Sequence, residues 1–193
     1  MKKFLLTLTC LVGFGLAFVA VPASAALVLT PGDMISGDAY GPSNCEPGCV
    51  ETVFSTSDLT LLYKAEHEND GNHKLEGTFA SSYSTEFWNS QTDPSNAAIS
   101  YIDGMSSIQC PFCYLAVKDG NADPGYYFFD LSNWNGTDTI EMLGFWEVGR
   151  GSISHVAIWG KDNGTPVPTP GALGLLGLGL AGLGLAARRR RSN

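Results

Sequence analysis

KLEGTFASSYSTEFW, residues 74–88, is the stretch that decides the fold class of this chain. Its large apolar side chains share one parity, at Leu75, Phe79, Tyr83 and Phe87, and Ser, Thr and Glu occupy most of the other positions. Side chains two residues apart lie on the same face of a strand, so this alternation is typical of half-buried β-structure. The stretch therefore predicts one strand or a bent pair of strands.

Shorter runs of the same kind occupy most of the chain between its two ends. Clusters of Gly, Asn and Asp separate them and predict turns, and no segment there has the apolar stripe of an amphipathic helix. Seven or eight short strands with frequent turns predict an all-β fold, a single β-sandwich domain that we expect to be jelly-roll-like. The other predicted strand segments are 59–65, 97–102, 114–117, 126–131, 139–146 and 152–159.

The N-terminal segment has the layout of a secretory signal peptide. Lys2 and Lys3 precede an apolar run over residues 4–21, which we expect to form the signal helix, and Ala23-Ser24-Ala25 is a small-x-small cleavage pattern. We expect the Sec translocon to export the chain and signal peptidase to remove residues 1–25.

Residues 167–193 combine three features in order. Val167-Pro168-Thr169-Pro170 is held extended by its two prolines, which suits it to a protease cleft. Residues 171–187 carry no charge and as a transmembrane helix span about 25 Å, although six of them are Gly. The basic tail, residues 188–193, stays on the cytoplasmic side by the positive-inside rule. Its cationic residues are Arg188, Arg189, Arg190 and Arg191.

This order of motif, Gly-rich apolar segment and basic cluster resembles the PEP-CTERM sorting signals of Gram-negative bacteria. Val167, Pro168 and Pro170 match the Val-Pro-Glu-Pro pattern of that family, and Thr169 replaces its usual Glu. The resemblance implies that exosortase, a membrane-embedded cysteine transpeptidase, recognises the motif and removes the tail. The chain would then pass through the inner membrane transiently and reach the cell surface or extracellular matrix. A permanent single-span anchor is the alternative.

Residues 26–166, between the two ends, form the exported acidic domain. Nineteen Asp or Glu stand there against five Lys or Arg, a net charge of −14 with His neutral. Such a domain repels nucleic acid and anionic lipid, and it favours divalent cations or neutral partners. Within it, residues 113–160 also resemble the terminal strands common in exported PEP-CTERM proteins. That resemblance implies no catalytic residues for this chain.

The domain contains four cysteines, Cys45 and Cys49 in CEPGC and Cys110 and Cys113 in CPFC. An even number of cysteines in an exported domain predicts disulfides. We favour the two local pairs, because the prolines and the glycine inside the motifs make tight turns. A bridge between the motifs, a zinc site and a redox pair at the second motif stay open.

Two loops have the composition of cation sites. Asp119, Asn121 and Asp123 offer oxygen ligands at alternate positions, as in a calcium loop, but Pro124 occupies the place where that loop needs Gly. Residues 66–73 contain two His and three carboxylates, which could hold a divalent cation. Polar, solvated turns explain both loops with fewer assumptions. We therefore expect no cofactor, and calcium at the first loop is the alternative.

The sequence contains no evident catalytic constellation. Ser154 and His155 are adjacent on a predicted strand and so point to opposite faces, and no Gly-x-Ser-x-Gly elbow is present. Trp134, between two Asn residues in a predicted turn, is the aromatic residue that we expect to be partly exposed and to contact a ligand. We expect a non-enzymatic surface or matrix protein in contact with exopolysaccharide. A secreted polysaccharide hydrolase and a permanently anchored structural domain are the alternatives.

Overall fold

The computed structural model describes residues 25–35, 44–146 and 150–161. In these ranges no helix is long and apolar enough to cross a bilayer. The predicted signal helix, sorting motif, transmembrane helix and basic tail fall on residues 1–24 and 162–193, outside the described residues. The elements are β1 (Leu27–Leu29), a 3-10 helix (Pro31–Asp33), α1 (Gly48–Val53), β2 (Thr60–Glu66), β3 (Lys74–Glu76), β4 (Tyr83–Trp88), β5 (Asn96–Tyr101), β6 (Cys113–Lys118), β7 (Tyr126–Asp130), β8 (Ile140–Met142) and β9 (His155–Gly160).

The described strands form two sheets with almost no helix, which confirms the predicted all-β, two-sheet class. One sheet has four strands in the order β1-β8-β5-β4, and the other has five in the order β3-β2-β9-β6-β7. Neighbouring strands are antiparallel, apart from the parallel pair of β1 and β8. The late strand β9 lies between β2 and β6, so strands distant in sequence hold the larger sheet together.

The stretch 74–88 is a bent pair whose two halves belong to different sheets. β3 pairs with β2 in the five-stranded sheet, and β4 pairs with β5 in the four-stranded sheet. Gly77 lies at the bend with a φ of +104°, and a Cβ there would lie 2.6 Å from the Leu62 carbonyl oxygen. Glycine is required at this point, because other residues would both strain the backbone and collide with β2. The chain crosses between the two layers here.

The interior core lies between the two sheets. On β6, Leu115 and Val117 face this core while their neighbours face the other way, as the period of two requires. Polar contacts also join the sheets, since the Tyr63 and Thr85 hydroxyls share a buried hydrogen bond of 2.7 Å. Other members of the interior core include Ile99, Phe129, Ile140, Met142, Val156 and Ile158.

A second apolar cluster, which we call the outer cluster, lies on the opposite face of the five-stranded sheet. The segment that contains α1 covers this face, and Phe54 stacks on Tyr114 with ring centroids 4.1 Å apart. Apolar cover on both faces explains why all six residues of β6 are buried. The outer cluster consists of Cys49, Val50, Leu59, Tyr114, Ala116, Tyr126 and Phe128.

Some elements differ from the sequence prediction. β1 and α1 are not predicted, because three strand residues carry no clear period and six helical residues carry no clear apolar stripe. The predicted strand over 139–146 is regular only at β8, and the strand predicted to begin at Ser152 begins at His155. Leu75, expected on the buried parity, is 40% exposed, because β3 is a three-residue strand at a sheet edge.

Candidate functional site

A cleft of about 310 Å³ opens where the start of β1 meets the turn between β7 and β8. β1 lies alongside β8, and the Leu27 amide donates to the Thr139 carbonyl oxygen at 2.7 Å. The turn from β7 leads directly to β8, so two segments of the chain, 25–27 and 130–138, meet around one opening. The lining residues are Ala26, Leu27, Asp130, Asn133, Trp134 and Asp138, together with Ala25, the last residue of the predicted signal peptide.

Trp134 lines this cleft but is buried, with 6% of its surface exposed, so the prediction of a partly exposed ring is wrong. Its Nε1–H donates to the Asp138 carbonyl oxygen at 2.7 Å, and its ring lies 5.9 Å from that of Tyr83 in the interior core. The Asn135 side chain closes the turn by accepting from the Thr137 amide at 2.9 Å. An indole whose N–H finds a partner within its own turn can direct its ring into the core.

The polar groups of the cleft are two carboxylates and one amide. Asp130 is the last residue of β7 and is exposed, and its Oδ1 accepts from the Ser132 amide at 2.7 Å. Asn133 is also exposed, and Asp138 is half-buried. Oxygen acceptors beside a small apolar wall suit a ligand rich in hydroxyl groups or a cation, and the negative charge disfavours anions.

The four cysteines of the described domain pair locally, as predicted. Cys45 bonds to Cys49 with Cα atoms 5.4 Å apart, and Cys110 bonds to Cys113 with Cα atoms 4.9 Å apart. This pairing rules out a bridge between the motifs and a zinc site built from the four thiolates. Cys113 begins β6 and no helix follows it, so the second motif lacks the helical setting of a thioredoxin-like redox pair.

Glu46, inside the first cysteine motif, makes a buried contact that the sequence did not predict. Its Oε2 lies 2.7 Å from His155 Nε2, and its Oε1 accepts from Trp159 Nε1 at 2.8 Å. The Glu46 and His155 side chains are 9% and 7% exposed. Because His155 and Trp159 share one face of β9, their ring N–H groups were a possible signal that a buried acceptor lies nearby. The carboxylate fastens the Cys45–Cys49 loop to the sheet.

The Glu46 contact also affects a neighbouring tyrosine. Burial, followed by the Glu46 carboxylate, raises the pKa of Tyr126 to about 12, and the Cys45 main chain acts in the opposite direction. The Tyr126 hydroxyl is buried and makes no hydrogen bond of ordinary geometry. On the neighbouring strand β6, Lys118 Nζ lies 5.7 Å from the centre of the Tyr126 ring. This corner of the outer cluster therefore combines charges with a buried hydroxyl whose main-chain contact, to Cys45, falls short of good hydrogen-bond geometry.

The candidate calcium loop is a polar turn closed by a single carboxylate. The buried Asp119 accepts through Oδ1 from the amides of Asn121 at 2.6 Å and Ala122 at 3.0 Å, and through Oδ2 from the Ser152 amide. Asp123 is exposed. Among the described residues, no group of three or more His, Cys, Asp or Glu side chains is placed to hold a metal ion. Asp119 therefore acts here as the acceptor that closes the turn.

Residues 66–73 connect β2 to β3 at one end of the five-stranded sheet. Glu66 is paired with Lys64 at 2.5 Å, and this hydrogen bond is the main cause that lowers the pKa of Glu66. His67 and His73 stand beside each other with ring centroids 5.5 Å apart. Burial, and next the neighbouring His67, lowers the pKa of His73. The structure thus brings the two imidazoles of this loop together.

As predicted, Ser154 and His155 do not form a pair of nucleophile and base. The Ser154 hydroxyl donates to the Lys118 carbonyl oxygen at 3.0 Å, while His155 faces Glu46. Each side chain is committed to a different partner.

Two other aromatic side chains present ring surface to solvent. Trp88 ends β4 and is 38% exposed, and Phe112 is 54% exposed. Phe112 stands in the short loop closed by the Cys110–Cys113 disulfide, which holds it away from the interior core. These two rings, unlike Trp134, are available to stack against a flat ligand.

Comparison with protein-family models gives no match, and neither curated protein sequences nor solved structures match the chain.

Proposed function

We propose that this chain is an exported, non-enzymatic cell-surface or exopolysaccharide-associated protein. Its jelly-roll-like domain, residues 26–166, would be delivered through a PEP-CTERM-type tail that exosortase processes. The tail supports this proposal through the order of its three parts: an extended Val167–Pro170 motif, an apolar segment and Arg188–Arg191. The domain then acts outside the inner membrane, at the surface or in the matrix.

The observation that carries export is the state of the cysteines. All four cysteines of residues 26–166 are bonded in two local disulfides. Disulfides persist in oxidising compartments outside the cytoplasm and are rare inside it. The pairing agrees with the signal-peptide layout of residues 1–25, which is an independent property of the sequence.

The surface of the domain supports a neutral, hydroxyl-rich partner. The net charge of −14 over residues 26–166 disfavours nucleic acid and anionic lipid. The exposed Asp130 and Asn133 in the cleft can accept or donate hydrogen bonds to sugar hydroxyls, and the exposed rings of Trp88 and Phe112 can stack on sugar faces. These features favour binding of polysaccharide over catalysis on it.

Intact-mass analysis of the protein from producer cells tests the sorting proposal. We expect surface copies to lack residues 1–25 and the segment beyond the Val167–Pro170 motif. The variant Pro168→Ala/Pro170→Ala should keep its tail, whereas Pro166→Ala, just outside the motif, should be processed like the wild type. Surface copies that all retain Arg188–Arg191 would instead identify a permanent anchor.

A polysaccharide hydrolase is the second candidate, favoured by the presence of Asp130 and Asp138 around one cleft. Glycosidases use a pair of carboxylates on either side of the scissile bond. Release of reducing ends from purified exopolysaccharide separates the two candidates. Release that Asp130→Asn abolishes and that the exposed-charge control Glu86→Gln preserves would establish the hydrolase. Binding without release supports the non-enzymatic protein.

A further inference from the structure

His67 and His73 occupy matched positions at the end of a β-hairpin. β2 and β3 are antiparallel and place Glu66 opposite Lys74, so the residue after β2 and the residue before β3 form the next facing pair. Their ring planes are inclined by 38° with centroids 5.5 Å apart, and both residues are partly exposed. The hairpin therefore holds two imidazoles side by side at the surface.

The hydrogen bond of His67 determines which ring nitrogen carries the proton. Its Nε2 lies 3.0 Å from the carbonyl oxygen of Gln91, in the connection between β4 and β5. A carbonyl can only accept, so Nε2 must donate, and in the neutral ring Nδ1 carries the lone pair. A ring N–H directed at a backbone carbonyl is the arrangement that orients most metal-binding histidines. Nδ1 of His67 is therefore the ring nitrogen that can bind a metal ion.

Both Nδ1 atoms, of His67 and His73, are buried and make no hydrogen bond within the described residues. Phe87 packs against both rings, with centroids 5.1 Å from His67 and 4.7 Å from His73, and offers them no hydrogen-bond donor. Burying a polar nitrogen without a partner is destabilising. Two such atoms on neighbouring rings, one of them with its lone pair assigned, indicate a site that an electron-pair acceptor such as a metal ion would complete.

We propose that His67 and His73 bind a divalent transition-metal ion of the zinc type, with water completing its coordination. With metal–nitrogen bonds of about 2.0–2.1 Å, two imidazoles at a tetrahedral angle place their ring centres about 5 Å apart. The observed 5.5 Å is close to that value. Imidazole nitrogen favours zinc, copper and nickel over calcium and magnesium. This site is separate from the cleft and does not depend on the proposed function.

The bound ion would fix two imidazoles of the β2–β3 hairpin that already contact the four-stranded sheet. The imidazoles belong to the β2–β3 hairpin, whereas Gln91 and Phe87 belong to the four-stranded sheet and its connection. Exposed carboxylates nearby, at Glu68 and Asp70, supply negative potential without being required as ligands. Metal binding at this point would therefore stabilise the contact between the layers.

The test is a titration of the untagged full chain with Zn²⁺ in the presence of excess Ca²⁺ and Mg²⁺. We expect one ion to bind, and the imidazole NMR signals of His67 and His73 to shift while those of His155 do not. His67→Gln and His73→Gln should each weaken Zn²⁺ binding at least about tenfold, since each removes one nitrogen ligand. Glu68→Gln, an exposed charge on the same loop, should change binding by less than about fivefold.

Three results would overturn the proposal. Unchanged His67 and His73 signals at saturating Zn²⁺ would leave the pair as an aromatic contact with Phe87 only. Binding that survives in the double variant His67→Gln/His73→Gln would place the ion elsewhere. Displacement of Zn²⁺ by Ca²⁺ would assign the ion to carboxylate oxygens. The wild-type spectra decide the question even where a variant fails to fold.

Discussion

The interior core and the outer cluster bury apolar side chains on opposite faces of one sheet, but they are held by different means. The interior core draws on both sheets, and alternate residues of nearly every described strand enter it. The outer cluster has one sheet face below it and only a six-residue helix with its flanking loops above. The outer cluster therefore contains far fewer buried residues, 7 against 23 in the interior core.

The difference shows where polar and covalent contacts become necessary. Burial contributes about 25 cal/mol per Å² of apolar surface, so a large two-sided core is stabilised mainly by packing. Above the outer cluster, the covering loop is closed by the Cys45–Cys49 bond and tied down by Glu46 through His155 and Trp159. The small cluster therefore depends on a few specific atoms, and the large core depends on many.

Truncation at the centre of the interior core is expected to have the largest effect. Leu115 is fully buried, and Leu115→Ala should lower the free energy of unfolding by about 2–5 kcal/mol through lost burial and the cavity it leaves. Val50→Ala, equally buried in the outer cluster, removes less surface and should cost about 1–2.5 kcal/mol. Denaturant-induced unfolding at pH 7 measures the loss in unfolding free energy for both variants. An equal or larger loss at Val50 would contradict the ranking of the two regions.

Removal of hydrogen bonds inside the interior core should cause the second-largest loss of stability. The buried Tyr83 hydroxyl donates to the Gly136 carbonyl oxygen and accepts from the Ile108 amide, both at 2.7 Å. Tyr83→Phe leaves both main-chain groups buried without a partner, so we expect a loss of about 2–4 kcal/mol in unfolding free energy. Tyr101→Phe, whose hydroxyl donates to the exposed Met105 carbonyl, is the matched control and should cost less than about 1 kcal/mol. Similar losses in the two variants would contradict this reading.

The interior core was largely predictable from the sequence, and the outer cluster was not. Period-two alternation reports which residues share a face, and together with short apolar runs it located strands near all of β2 to β9. It does not report which sheet a strand joins. The crossing at Gly77 depends on a close approach to Leu62 that no local pattern encodes. β6 is buried on both faces, so its sequence carries no alternation that reveals the cover above it.

The site residues show the same contrast between contacts that are local in sequence, which were predictable, and contacts that depend on tertiary packing, which were not. Short cysteine spacing predicted the two disulfides, because a tight turn brings both sulfurs together locally. The Glu46–His155 contact joins residues far apart in sequence and depends on tertiary packing. Trp134 was expected at the surface because its neighbours are polar, yet its N–H finds the Asp138 carbonyl and the ring turns inward. Turn composition predicts where the chain bends and does not fix where a large side chain points.

Removal of the Glu46 carboxylate should loosen the outer cluster while leaving the interior core intact. Glu46→Ala leaves the ring N–H groups of the buried His155 and the partly buried Trp159 without their acceptor, and we expect a loss of about 1–3 kcal/mol in unfolding free energy. Hydrogen exchange should accelerate in residues 48–53 more than in the strands of the interior core. Glu68→Ala, an exposed charge, should change neither quantity measurably. Uniform acceleration across both regions would show that the two clusters unfold as one unit.

The smallest effect at neutral pH is expected for Tyr126→Phe in the outer cluster. The Tyr126 hydroxyl has no hydrogen bond of ordinary geometry, so its removal should change the free energy of unfolding by less than about 0.5 kcal/mol at pH 7, unlike Tyr83→Phe. A loss above about 1 kcal/mol would show that the hydroxyl has a partner that stabilises the fold.

The difference between the wild type and Tyr126→Phe should instead appear in alkaline solution. Burial and Glu46 raise the pKa of Tyr126 from 10.0 to about 12, so between these values the folded chain binds the phenolic proton more tightly than the unfolded chain. The stability associated with this group is fully present below pH 10 and is lost as the pH rises toward 12. The free energy of unfolding, measured in steps from pH 9 to about pH 11, should fall more steeply for the wild type than for the variant. Parallel curves would contradict the prediction, because they would mean that Tyr126 ionises equally easily in the folded and unfolded states.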